Sequence, residues 1–442
     1  MTKLRLDSWK SIAKYLDRGQ RTVQRWHAEN GLPIHHFGGP QGCVFAYPEE
    51  IDAWLEGFTG QQAQQNAPQI PTPDAKAEKA RKLAALASEM YASRSEKNLS
   101  SIAALYREAL DEDPYNAVAL VGTANVMISS VLLELMDSSV AYPCALEALR
   151  RTPQLDTQHP DAKCAAAFLK MAVERKWRQA RMGFDEVLDD QPQNPLALAG
   201  RAFLHVSDAE LGDAFLWAWE AWQQSPLVDS VRILLCWIKF LAADSEEALE
   251  LVGQFKASGS SGPTIAAIQA LALSQSAPRE LNVRQIESIA AEFPQSNTLQ
   301  GILGYAYGIS GQTQKASQVL GAMQEMCERK KRNYSYALAL VLMGLGRRQE
   351  VIPCLETSFE QGSIWSLGFR SDPILKPLRG DAQFEALLRK LGSKPQTQAI
   401  DQAKFLPKKL SFPAPTVASG SWMGSLDDSS DDLEDCKESG AA

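Results

Sequence analysis

Arg18, Gln20, Arg21, Thr22, Gln24 and Arg25 fall within a single short stretch. Their side chains are of the kinds that read DNA. Arg pairs bidentately with guanine, Gln pairs with adenine, and Thr reaches either a base or a phosphate. The chemistry on offer is hydrogen bonding to base edges together with neutralisation of phosphate charge. Charge placement agrees with it. Residues 1–25 hold seven Lys or Arg against Asp7 and Asp17, whereas residues 26–58 hold five acids and no Lys or Arg. The first 58 residues are neutral as a sum, but a phosphate backbone responds to the local field.

Two short helices must position these residues. Trp9, Ile12, Ala13 and Leu16 follow the i, i+3, i+4, i+7 spacing of one apolar helix face. Ser8 precedes that face and suits an N-cap. Asp17-Arg18-Gly19 interrupts the pattern. In the next helix, Gln20 to Glu29, Val23 and Trp26 turn inward, Trp26 towards Trp9 and Leu16, and the polar residues project outward. The spacing predicts a helix-turn-helix whose second helix enters a major groove. Arg21, Gln24 and Arg25 would face bases there, and Lys14, Arg18 and Thr22 would hold phosphates. A wing is expected to follow. Leu32 to Phe37 reads as a strand, Gly38 to Gly42 as a turn, and Cys43 to Tyr47 as the returning strand. His36, with His35 beside it, is the wing's candidate DNA contact. Pro48-Glu49-Glu50 opens a helix, with Pro at its first position and acids at the positive end of its dipole. Ile51, Trp54 and Leu55 close the core.

The runs Ser8 to Leu16, Arg21 to Trp26, Gly31-Leu32-Pro33, Ala46-Tyr47 and Asp52-Ala53-Trp54-Leu55 resemble, in order and spacing, the MerR/excisionase-like winged helix-turn-helix at the N-terminus of many bacterial proteins. The resemblance covers about the first sixty residues and implies binding of double-stranded DNA through the second helix and the wing. One departure stands out: relatives usually place Lys or Arg in the wing turn, and Gly38 to Gly42 carry none.

After Phe58 the composition changes. Gly60 to Ala75 is rich in Gln, Ala and Pro and reads as part of a linker, residues 59–79. From Ala80 onward the chain reads as helix after helix. Leu303-Gly304, Tyr307, Ala316 and Leu320, with Gly311-Gln312 in the turn between, form the clearest of several similar units. Tyr106, Ala109 and Pro114 fit the second half of another, and Ala180, Phe184, Val187 and Pro192 of a third. The units resemble tetratricopeptide repeats, in which small residues let two helices cross closely. Roughly seven or eight units of about 34 residues fit between Ala80 and Gln361. Val228 to Phe255 and Gly262 to Phe293 match poorly. The resemblance implies an α-solenoid over residues 80–362 that holds a protein partner or a second copy of the chain.

Residues 363–392 resemble the segment that often ends such arrays in bacterial regulators, a Pro-punctuated loop and an amphipathic helix suited to cap an exposed apolar end. Residues 393–442 are expected to be disordered. From Gly420 on they hold seven acids against Lys437, a net of −6 out of the chain's −8.

The remaining composition excludes several functions. The seven cysteines are scattered, with no C-x-x-C pair, which points to reduced thiols rather than a disulfide framework or structural zinc. His27, His35 and His36 have the wrong separations for metal ligands on a helix. His159 and His205 have no evident Ser or Cys partner. Trp177, Trp217, Trp219 and Trp222 read as core rather than as a binding groove. No phosphate loop, H-E-x-x-H or G-x-S-x-G motif is present. We therefore expect no catalytic residues, cofactor or metal, and no membrane span, since the apolar run Val231 to Ala243 is short and interrupted by Arg232 and Lys239. The chain reads as a mainly α, cytoplasmic, non-enzymatic transcriptional regulator. The alternative is a tetratricopeptide scaffold whose helix-turn-helix makes protein contacts only.

Overall fold

The first helix starts where the Ser8 hydroxyl accepts from the Ser11 amide at 3.1 Å. It is α1, Trp9–Tyr15, in a computed structural model that describes residues 5–37, 43–55, 75–152, 158–277, 279–330 and 335–392. The chain turns at Asp17, which takes the left-handed conformation (φ 50°), while Gly19 is extended and begins α2, Gln20–Asn30. The break expected at Asp17-Arg18-Gly19 therefore turns on Asp17, whose short polar side chain tolerates that region. Gly31 ends α2 with φ 70°.

The expected wing strands are shorter than the sequence suggested. β1 (His35–Phe37) and β2 (Cys43–Phe45) pair antiparallel, with His36 opposite Val44. Ala46 bridges instead to Leu6, from which it accepts at 2.9 Å. The turn Gly38 to Gly42 lies outside the described residues. Residues 48–55 form α3. Ile12, Val23, Leu32, Ala46 and Ile51 are the buried centre, with Trp9, Trp26, Trp54 and Leu55 packed on it.

The described residues divide into two units after Glu78. The second begins within α4 (Ala75–Tyr91), whose first turn falls inside the stretch read as linker. It pairs with α5 (Leu99–Glu112). Further pairs follow: α6 (Ala117–Leu132) with α7 (Ser138–Arg151), α8 (Pro160–Ala172) with α9 (Trp177–Asp190), and α10 (Pro195–Ser207) with α11 (Leu211–Gln224). Then come α12 (Asp229–Leu241) with α13 (Ser245–Ala257), α14 (Pro263–Gln275) with α15 (Arg279–Glu292), α16 (Asn297–Ile309) with α17 (Thr313–Lys330), and α18 (Ser335–Gly344) with α19 (Arg348–Glu360). This is a tetratricopeptide-like α-solenoid, regular also across α12–α15, where the sequence pattern was weak.

Close crossings hold the pairs together. A Cβ on Gly122 would lie 2.1 Å from the Tyr106 ring, and one on Gly200 would lie 2.3 Å from Phe184. Each bulky residue of a second helix thus sits on a glycine of the next first helix. Between α16 and α18 the backbones themselves meet, and a Cβ on Gly308 would fall 2.3 Å from the Gly344 carbonyl carbon. Backbone cannot yield as a side chain can, so Gly308→Ala should force the helices apart at a cost of about 1–3 kcal/mol. A lowered urea midpoint for the full chain is the expected reading, and an unchanged one would show that the crossing carries no strain.

Residues 363–392 do more than follow α19. A 3₁₀ turn at Ile364–Gly368 touches α10 and α19. Gly368 faces Trp237 and Leu241 of α12. Tyr142 donates to the Gly362 carbonyl at 3.2 Å, and Trp177 to that of Lys390 at 3.2 Å. The final helix, α20 (Ala382–Arg389), is capped by Asp381. The segment expected to close one end of the solenoid packs on its last pair, where Tyr336 donates to Asp372, and also reaches helices of its third to fifth pairs.

Candidate nucleic-acid interface

α2 can present a polar face because Val23 and Trp26 anchor its other side. Val23 is fully buried, and the Trp26 ring lies 5.8 Å from that of Trp54. Trp26 thus has a partner on α3, and it packs on the same small core as Trp9 and Leu16 of the first helix region. Trp54 donates to the Asn30 carbonyl at 3.0 Å, pinning α3 to the end of α2. Tyr15 donates to Asp52 at 2.8 Å, tying α1 to α3. That contact holds the Tyr15 phenol above its ordinary pKa, through the hydrogen bond to the carboxylate first.

With the unit held in this way, Lys14, Arg18, Gln20, Arg21, Gln24 and Arg25 are exposed and Thr22 is half-buried. Arg18 donates to the Asp17 carbonyl at 2.8 Å. Lys14, Arg21 and Arg25 make no ion pair among the described residues. His36 is exposed on β1, with its ring 5.7 Å from that of His27. His35 is committed elsewhere, 2.6 Å from the Glu50 carboxylate. Arg5, absent from the sequence candidates, lies over the Phe45 ring at 4.9 Å and pairs with Asp7.

In the second unit the fold gathers groups that sequence spacing did not connect. His205, Glu210 and Asp213 bring ligand atoms within 4.8 Å of one another. They have the ligand types for a divalent ion, but Arg201 stands 3.4 Å from the His205 Nε2 and opposes one. His205 is tied to Glu210 at 2.8 Å and stacks on Trp217, and burial holds its pKa down. Three carboxyls are sequestered. Glu96 is pushed up to about 8 by burial and Asp372 to about 6 by the same cause, while Glu134 is also raised by burial. Nothing in the local sequence marks these acids, because an acid in a helix or turn ordinarily faces water. The described cysteines, Cys144, Cys164, Cys236, Cys327 and Cys354, are free thiols.

No family model and no curated protein matches the sequence. Among solved structures, the chain is similar to a tetratricopeptide repeat protein from Parabacteroides merdae ATCC 43184, at 11% identity and a TM-score of 0.36, over 71% of this chain and 98% of that one. It is also similar to a monomeric mutant of IFIT1 with Gppp-AAAA, at 13% identity and a TM-score of 0.32, over 86% of this chain and 80% of that one. At such scores neither likeness carries weight alone, and the fold class rests on the stacked helix pairs and the glycine crossings. The chain is a mainly α protein, a small winged helix-turn-helix unit and a tetratricopeptide-like solenoid. Among the described residues no helix is long and apolar enough to cross a membrane.

Proposed function

We propose that the chain is a sequence-specific DNA-binding transcriptional regulator, of the MerR/excisionase-like kind in its first 58 residues, with an array that engages a protein partner or a second copy. The observation that carries this reading is the exposure of Lys14, Arg18, Arg21 and Arg25 on one helix-turn-helix, with no acid paired to them among the described residues. Arg21, Gln24 and Arg25 read bases in the major groove. Lys14, Arg18, Gln20 and Thr22 hold the backbone, and His36 approaches it from the wing. Stacked helix pairs supply the extended surfaces on which such arrays hold proteins.

The test is a selection of duplex DNA by the full chain, followed by a salt titration of the selected site. Four released counterions give a slope of about −3.6 in log affinity against log salt, a loss on the order of a hundredfold between about 50 and 200 mM. A flat response would leave the scaffold, with a helix-turn-helix making protein contacts only, as the better reading.

A further inference from the structure

A cleft of about 860 Å³ opens in the second unit where the α6–α7 turn comes against α16, α18 and the 3₁₀ turn after α19. Its volume is in the range of small-ligand and short-peptide sites, too small for a folded partner. Its construction is asymmetric. On one side, Leu135, Met136 and Val140 line it although each is substantially exposed. At its base sits Glu134, held at φ 51° by the turn. Thr298 and Trp365 both donate to Glu134, each at 2.6 Å, and both to the same oxygen, Oε1. The other oxygen receives neither bond. Asp137 and Glu292 add two more carboxylates to the walls, and no Lys or Arg is among the described lining residues. The buried hydroxyl of Ser358, also in the lining, has no hydrogen-bond partner among the described residues.

A half-buried carboxyl served only by neutral donors is biased towards its neutral form, and a cation brought beside it would let it carry its charge. The apolar rim suits the alkyl stem that would bring such a cation in. We propose that this cleft docks an extended protein segment presenting a lysine side chain flanked by apolar residues. The ammonium would meet the free Glu134 oxygen and the Asp137 and Glu292 carboxylates, and the flanking residues would cover Leu135, Met136 and Val140. The proposal deepens the reading of the array as a protein-interaction surface and does not depend on DNA binding.

The test is calorimetric titration of the full chain with a Leu-Lys-Leu peptide blocked at both ends. Two matched peptides, one with the lysine Nε-acetylated and one with glutamate in its place, serve as comparisons. The lysine peptide is expected to bind, and loss of its charge by acetylation should weaken it by about tenfold or more. Glu134→Gln keeps an acceptor for Thr298 and Trp365 and should produce a similar loss. Glu292→Gln lies on the exposed rim, leaves the fold alone, and should produce a smaller one. No binding of the lysine peptide at millimolar concentration would overturn the proposal. So would equal binding of the acetylated peptide, preference for the glutamate peptide, or indifference to both substitutions. Failure here with salt-dependent DNA binding intact removes the cleft and leaves the DNA reading standing, and the converse pair of results does the reverse.

Discussion

Trp26→Ala should unfold the N-terminal unit, whereas its neighbour Arg25→Ala should leave it folded and weaken only DNA binding. The two side chains point opposite ways from one turn of α2. Trp26 packs on the core beside Val23, with Trp54 of α3 against its ring at 5.8 Å. Removing an indole from such a site costs about 3–5 kcal/mol, a large part of what a domain of this size has. The Arg25 guanidinium is exposed and pairs with no acid among the described residues, so its loss costs the fold little. If it reads a base, affinity falls by about 1–3 kcal/mol. Melting curves and gel shifts on both variants separate the effects. A Trp26→Ala protein that melts normally and loses only affinity would mean that the wrong face of α2 was assigned to DNA.

Glu247→Ala should destabilise the solenoid by about 3–5 kcal/mol, because it removes the carboxylate that a fully buried ammonium donates to. Lys239 lies in α12 with no solvent exposure at all, and its ammonium meets Glu247 Oε2 at 2.7 Å. Phe215 offers its ring face to the same ammonium, with the centroid 4.5 Å away, a contact too weak to replace a carboxylate. The double variant Lys239→Met, Glu247→Leu removes both charges and keeps the volume, so most of the lost stability should return. Urea unfolding of the single and double variants gives the comparison. A double variant as weak as the single one would show that packing, not the lost ion pair, sets the cost.

The candidate DNA face was legible because its information is local. Residue types, the three- and four-residue spacing and the run of cations all lie within a few turns of chain. What escaped notice there depends on distant neighbours. Trp26 found Trp54 of α3 as a further partner, and His35 was drawn to Glu50 across the hairpin. Within the expected break Asp17-Arg18-Gly19, the left-handed conformation fell to Asp17, which the sequence pattern alone did not single out.

The array shows the same division. Periodicity identified helix pairs wherever one helix face stays wet, as in the unit around Gly304 and Ala316. It failed across α12 and α14 because these helices have almost no wet face. Every residue of α12 is buried, including Asp229, Arg232 and Lys239, so its polar positions mark no wet face, and α14, apolar nearly all round, has no single apolar stripe to detect. By itself, then, the sequence determined the helix-turn-helix, its charged face and the repeat. Tertiary structure alone decided the rest. The stacked pairs curve until Glu134 reaches Thr298 and Trp365, 164 and 231 residues further along the chain. They also bring the last segment across the inner helices. Such contacts follow from small rotations accumulated over many repeats, a quantity that no single stretch of sequence carries.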